Sequence, residues 1–111
     1  MKHLLLAVLL AAASHSRADL QGTWIASVHN INFPSKAGLP VEAQKQQATR
    51  LLDAARAAGL NSVMLQVRPE SDALYKSRLE PWSRYLSGTQ GRDPGYDPLA
   101  YFIQEAGARG L

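Results

Sequence analysis

An α/β fold built from strand–helix units is predicted by three features of the 111-residue chain. Two short runs are rich in β-branched and apolar residues, two longer stretches carry a helical apolar stripe, and the two kinds alternate. Such alternation implies parallel strands joined by right-handed crossovers. Hydrophobic residues make up 46% and charged residues 19%, the balance of a globular protein rather than a disordered one.

The first eighteen residues stand apart. Met1-Lys2-His3 precedes the apolar run Leu4 to Ala13, and Ser14-His15-Ser16-Arg17-Ala18 follows it. A positive start, an apolar stretch and a small-x-small site (Ser16, Ala18) read as a signal peptide over residues 1–18, so an exported protein, periplasmic or secreted, is expected. The run is far short of the roughly 20 residues that cross a bilayer, and no stable membrane anchor is expected. Without Lys2 and Arg17, 10 basic residues face 9 acidic ones, and the net charge drops from +3 to +1. The basic residues are scattered singly, so no nucleic-acid partner is expected. The chain has no cysteine, which removes disulfides, thiolate metal sites and thiol nucleophiles.

The first strand is Thr23-Trp24-Ile25-Ala26-Ser27-Val28, bounded by Gly22 and the polar pair His29-Asn30. After a loop with Pro34, Gly38 and Pro40, a helix begins near Val41. Its apolar stripe is Ala48, Leu51, Leu52 and Ala55, with Gln44, Lys45, Arg50 and Asp53 elsewhere. Gly59 supplies a left-handed stop and Leu60 the apolar residue that follows such a cap. The second strand, Ser62-Val63-Met64-Leu65-Gln66-Val67, is nearly continuous in apolar residues, as in a sheet covered on both faces, and Pro69 ends it. Asp97-Pro98 reads as an N-cap followed by proline in the first turn. Leu99, Phe102, Ile103 and Ala106 form the second helical stripe, and Arg109-Gly110-Leu111 closes it.

Two strands cannot by themselves bury both faces of Ser62–Val67. The expectation is therefore that these residues are the N-terminal piece of a larger (β/α) protein, cut where a third strand should begin. The piece alone is expected to be inactive.

In parallel α/β proteins function gathers at the C-terminal strand ends. Both loops there are long: His29 to about Pro40, and Pro69 to Tyr96, against the usual span of about 2–6 residues. The second holds Tyr75, Trp82, Tyr85 and Tyr96, half of the eight aromatic residues, among Arg68, Glu70, Asp72, Lys76, Arg78 and Arg84. Flat rings interleaved with charged donors and acceptors suit a sugar, whose C–H faces stack while its hydroxyls pair. Equally, Trp82 and Tyr85 could form a cluster internal to the loop. Candidate substrate-binding residues are Asn30, Gln66, Arg68, Glu70, Asp72, Tyr75 and Trp82, with Arg68 the foremost. His29, the one histidine after residue 18, reads as a loop residue or a sugar hydrogen-bonder. A lone histidine makes no zinc site, and with no phosphate-loop, Ser/His/Asp or EF-hand spacing, neither a metal nor a cofactor is expected.

Four blocks in order carry a family resemblance: Gly22-Thr-Trp-Ile-Ala-Ser-Val, Gln66-Val-Arg-Pro-Glu-Ser-Asp-Ala-Leu-Tyr, Leu79-Glu-Pro-Trp-Ser-Arg-Tyr-Leu-Ser-Gly-Thr-Gln-Gly and Pro94-Gly-Tyr-Asp-Pro-Leu. From about residue 20 onward the chain resembles the glycosyl-hydrolase-like 10 family. The resemblance implies the first two βα units of a (β/α)8 barrel of the TIM type, truncated after the second helix, in an exported protein. It also implies a polysaccharide substrate, with the glycan strands of peptidoglycan as the candidate. Asn32-Phe33-Pro34 stands where Asp-Trp-Pro is common in the family, and Gly107 where Glu-Ala-His is usual.

Glycosidic cleavage needs two carboxyl groups flanking the bond. Asp97 reads as a helix cap, and Glu42, Asp53 and Glu105 as solvated helix faces. Only Glu70 and Asp72 sit just past a strand end, and an extended chain would place them about 6–7 Å apart on one side. Arg68, on that side too, would lower both pKa values and pair with one of them, whereas a general acid needs its pKa raised. Glu70 and Asp72 are thus candidates for catalysis but better for substrate positioning, with acid and base expected on later strands. The alternatives are a glycan-binding barrel without catalysis and a truncated, inactive product.

Overall fold

A computed structural model describes residues 19–111; the expected signal peptide lies outside the described residues. Strand β1 (Gly22–Ile25) is followed by a 3₁₀ turn (Val28–Asn30), helix α1 (Val41–Ala57), strand β2 (Ser62–Leu65), a one-turn helix α2 (Arg84–Ser87) and helix α3 (Pro98–Ala108). The strands are parallel, with Gly22 opposite Ser62, Trp24 opposite Met64 and Ile25 opposite Leu65. The result is a small α/β unit with the expected order of elements.

Both strands end earlier than the apolar runs suggest, because side-chain amides replace the strand partner. Gln66 N donates to Ile25 O at 2.9 Å. Beyond it, Ala26 N donates to Asn32 Oδ1, and Ser27 N and Val28 N both donate to Gln66 Oε1. Val67 O turns to the loop and accepts from Leu74 N.

The helices end and begin as their sequences imply. Gly59 and Gly110 both have left-handed φ, and Leu60 N and Leu111 N donate back to Ala55 O and Ala106 O, the same closing motif used twice. Asp97 Oδ1 accepts from Ala100 N at 3.0 Å, with Pro98 in the first turn.

Both α1 and α3 cover the same face of the sheet. Ala48, Leu52 and Phe102 pack with Ile25, Phe33, Leu74 and Leu86 in one core, and Phe33 meets Phe102 edge-on with ring centroids 4.8 Å apart. Gln44, expected on the polar side, is buried within this stripe, and Leu51 is only half-buried. Gln44 lies four residues before Ala48, and its amide is satisfied: Nε2 donates to Leu39 O and Leu86 O, and Oε1 accepts from Tyr96 OH. The opposite face of the sheet carries Trp24, 56% exposed, and its register partner Met64, 44% exposed. On that face a Cβ at Gly22 would meet Ser62 Oγ at 2.5 Å, so a larger residue there would require the Ser62 side chain to shift.

Each strand also has a free edge among the described residues. An apolar groove of about 420 Å3 runs along β2 beneath α3, lined by Val63, Leu65, Phe102, Ile103 and Leu111. Another of about 280 Å3 runs along β1 beneath α1, lined by Thr23, Ile25, Leu51, Ala55 and Leu60.

Candidate functional site

The two long loops meet over the C-terminal ends of the strands. The first is held by neutral hydrogen bonds: Ser27 Oγ donates to Gln66 O at 2.6 Å, and Asn30 Nδ2 donates to Pro34 O and Tyr85 O. Within it His29 and Asn30 both have left-handed φ, 54° and 53°. Such backbone costs a non-glycine residue free energy and persists where its surroundings fix it. Here the fixing group is the Asn30 amide, and the consequence is an exposed His29 turned toward the second loop.

In the second loop Ser71 adopts φ 57°. The extended path expected from Glu70 to Asp72 is therefore broken. Asp72 folds back, buried, with Oδ1 accepting from Glu70 N at 3.1 Å and Oδ2 accepting from Gln90 Nε2 at 3.3 Å. A short acidic side chain that bonds the backbone two residues away is turn chemistry, and it removes Asp72 from any pair with Glu70 on one side of the chain.

Glu70 faces α2 instead. Ser83 caps that helix by accepting from Tyr85 N, which sets Arg84 and Tyr85 beside the carboxylate. Arg84 donates Nε to Glu70 Oε2 at 3.0 Å and Nη2 to Oε1 at 2.9 Å, a bidentate pair. Tyr85 OH donates to Oε1 at 2.5 Å and accepts from Arg84 Nη2 at 3.2 Å. The Arg84 fork, then the Tyr85 hydroxyl, hold the Glu70 carboxyl below its usual pKa, and the pair raises that of Arg84. His29 Nδ1 stands 3.4 Å from Tyr85 OH, with the rings edge-on at 5.8 Å. Because the tyrosine proton is committed to Glu70, this contact needs the proton on His29 Nδ1, which leaves Nε2 as an acceptor in the neutral ring.

His29, Glu70, Arg84 and Tyr85 thus form one hydrogen-bonded cluster spanning both loops. Arg68 lies outside it: its Nη2 donates to Glu80 Oε1 at 2.7 Å, with half of the Arg68 side chain exposed, so its partner is neither Glu70 nor Asp72. Gln66 commits its Oε1 to Ser27 N and Val28 N, and Asn30 commits its Nδ2 to Pro34 O and Tyr85 O. Tyr75 is half-buried and shares none of the cluster's hydrogen bonds. Trp82 packs partly on the core and partly lines a small cavity with Lys76, Asp93 and Tyr96. Among the described residues no three acidic or histidine side chains gather as a metal site would require.

Arg84 and Tyr85 are the site residues that sequence reasoning did not pair with Glu70. Their one local signal is Ser83 as the N-cap of a helical turn; nothing in the spacing of residues 70 and 84 announces contact.

The cluster offers a fixed carboxylate, an arginine whose Nη1 donors are outside the bidentate pair, and a histidine nitrogen, all on the loops that follow the two strands. That set can bind a polyhydroxyl ligand, but it contains no carboxyl group poised to donate a proton. The glycosyl hydrolase-like 10 profile matches residues 19–111. The chain is 51% identical over 100 residues to "Glycosyl hydrolase YngK" of Bacillus subtilis, covering 90% of this chain and 20% of that protein. It is 32% identical over 108 residues to "Glycosyl hydrolase DigH" of Escherichia coli, covering 91% of this chain and 25% of that protein. The chain therefore spans about a fifth to a quarter of the length of these relatives. With a match over every described residue, the chain belongs to the glycosyl hydrolase-like 10 family.

Proposed function

We propose that these residues are the first two βα units of a (β/α)8 barrel in an exported glycoside hydrolase that cleaves a polysaccharide, the glycan strands of peptidoglycan being the favoured substrate. The observation that carries the functional part is the His29–Glu70–Arg84–Tyr85 cluster at the C-terminal strand ends of a family member named for glycoside hydrolysis. In this reading the cluster grips the sugar. Glu70 stays ionised and positions a hydroxyl, while the acid and base come from later strands.

The barrel reading is supported by the way the helices lie. In a barrel all the helices lie outside the sheet, and its inner face carries the side chains that fill the barrel. Here α1 and α3 share a face, and Trp24 and Met64 are left on the other, where barrel-filling side chains belong. The two apolar edge grooves are where neighbouring strands would continue the sheet in both directions. Relatives four to five times longer have the residues to supply them.

Incubating the full-length protein with purified peptidoglycan glycan strands, and following released oligosaccharides by mass spectrometry, tests the activity. Shortened glycans are the expected result. Binding without cleavage would instead favour a glycan-binding barrel, a reading suggested by the absence of a proton-donating carboxyl group in the cluster. Export is tested by the mass of the secreted protein, expected to begin after Ala18.

A further inference from the structure

Next to the cluster lies a separate cavity of about 250 Å3, built by the second loop and the start of α3. Trp82 and Tyr96 line it, with Lys76, Asp93 and Asp97 around them; the Tyr96 ring also meets Tyr101 edge-on at 6.3 Å and lies 5.8 Å from Lys45 Nζ. Most polar atoms here are already committed. Tyr96 OH donates to Gln44 Oε1 at 2.7 Å and burial pushes its pKa up, so this hydroxyl is not free for a ligand. Asp97 accepts from Ala100 N with Oδ1 and from Lys76 N with Oδ2. Asp93 Oδ1 accepts from Gly95 N at 2.8 Å, leaving Oδ2. The Lys76 ammonium joins none of the ion pairs among the described residues.

The cavity therefore offers two aromatic side chains, one cationic donor and one uncommitted carboxylate oxygen, in a volume below the usual range for drug-sized ligands. An anion would meet two carboxylates, and a purely apolar ligand would strand the Lys76 and Asp93 charges. A pyranose ring satisfies every group: its C–H face lies on a ring, and its hydroxyls accept from Lys76 and donate to Asp93. Its position fits as well. Only Ser83 separates Trp82 from Arg84, so their Cα atoms are within about 7 Å. Helix α3 starts at the end of the sheet where β2 finishes, so cavity and cluster share that end.

We propose that this cavity is a second saccharide subsite, which holds one ring of a glycan whose adjoining part lies on the Glu70–Arg84 cluster. The inference rests on the reading of the protein as glycan-cleaving. Its test is chain-length dependence: kcat/KM of the full-length protein on N-acetylhexosamine oligomers from two to six rings, for the wild type, Lys76→Ala and Asp93→Asn. Each variant should lose about tenfold on the hexamer, the worth of one charge-assisted hydrogen bond. The loss on the dimer, too short to span both places, should be less than about twofold. An equal loss at every length, or none at any, overturns the subsite and leaves glycan cleavage standing. A wild type that cleaves neither these oligomers nor polymeric glycan overturns the underlying reading instead.

Discussion

The two loops over the strand ends are held by different physics. The first is fastened by neutral amides bonded to backbone: Gln66 to Ser27 and Val28, Asn30 to Pro34 and Tyr85, Asn32 to Ala26. The second is fastened in part by ion pairs, Glu70 with Arg84 and Arg68 with Glu80, whose side chains are a quarter to a half exposed. Removing the only acceptor of a partly buried N–H leaves an unpaired donor, which costs about 1–3 kcal/mol. Removing one member of an exposed ion pair costs about 0–1 kcal/mol, since water replaces the partner. The first loop is therefore architecture, and the second can keep charged groups available for a ligand.

The largest break in that comparison is expected at Gln66. Gln66→Ala strips the acceptor from both Ser27 N and Val28 N and should lower stability by about 2–4 kcal/mol, read as a lower denaturation midpoint at unchanged slope. Asn30 follows. Asn30→Gly keeps the left-handed backbone and deletes only the amide, so a loss of about 1–2 kcal/mol isolates its two hydrogen bonds from the backbone effect.

The second loop should respond in pH dependence rather than in bulk stability. The folded protein holds the Glu70 carboxyl below its usual pKa, chiefly through Arg84. A depressed folded pKa means that the carboxylate stabilises the fold above the ordinary carboxylate range. That contribution is lost as pH falls through the depressed value. Arg84→Met should move the Glu70 titration back up toward the ordinary carboxylate range. Its difference in Tm from the wild type should shrink as the medium is acidified below that range. Carboxyl carbon NMR and melting curves between neutral and acid pH check both. The smallest effect is expected at the outer pair, where a double-mutant cycle on Arg68→Ala and Glu80→Ala should return a coupling of about 0–1 kcal/mol.

The contrast also explains what could be read from the residues alone. The helical stripes, the Asp97-Pro98 start and the Gly-Leu endings are local patterns, and each element they imply is present. The strands are shorter than their apolar runs because Asn32 and Gln66, one after β1 and one after β2, take over the ladder from outside. The cluster was legible only in its parts. Glu70 and His29 stand out at strand ends, but its geometry depends on Ser71 taking a left-handed turn and on a one-turn helix delivering Arg84 and Tyr85 from fourteen and fifteen residues away. No periodicity encodes a contact of that kind; it follows from how the loop packs on Leu74 and Leu86.

The division between architecture and recognition is tested most directly by Glu70→Gln in the full-length protein, with kcat/KM on glycan and Tm measured on the same preparation. The substitution keeps the shape of the side chain and removes the charge that Arg84 and Tyr85 hold in place. If the second loop reads the substrate, kcat/KM falls about tenfold or more while Tm shifts by no more than about 2 °C. A Tm lowered well beyond that, with normal activity per folded molecule, would make Glu70 a fastener like Gln66 and contradict the account.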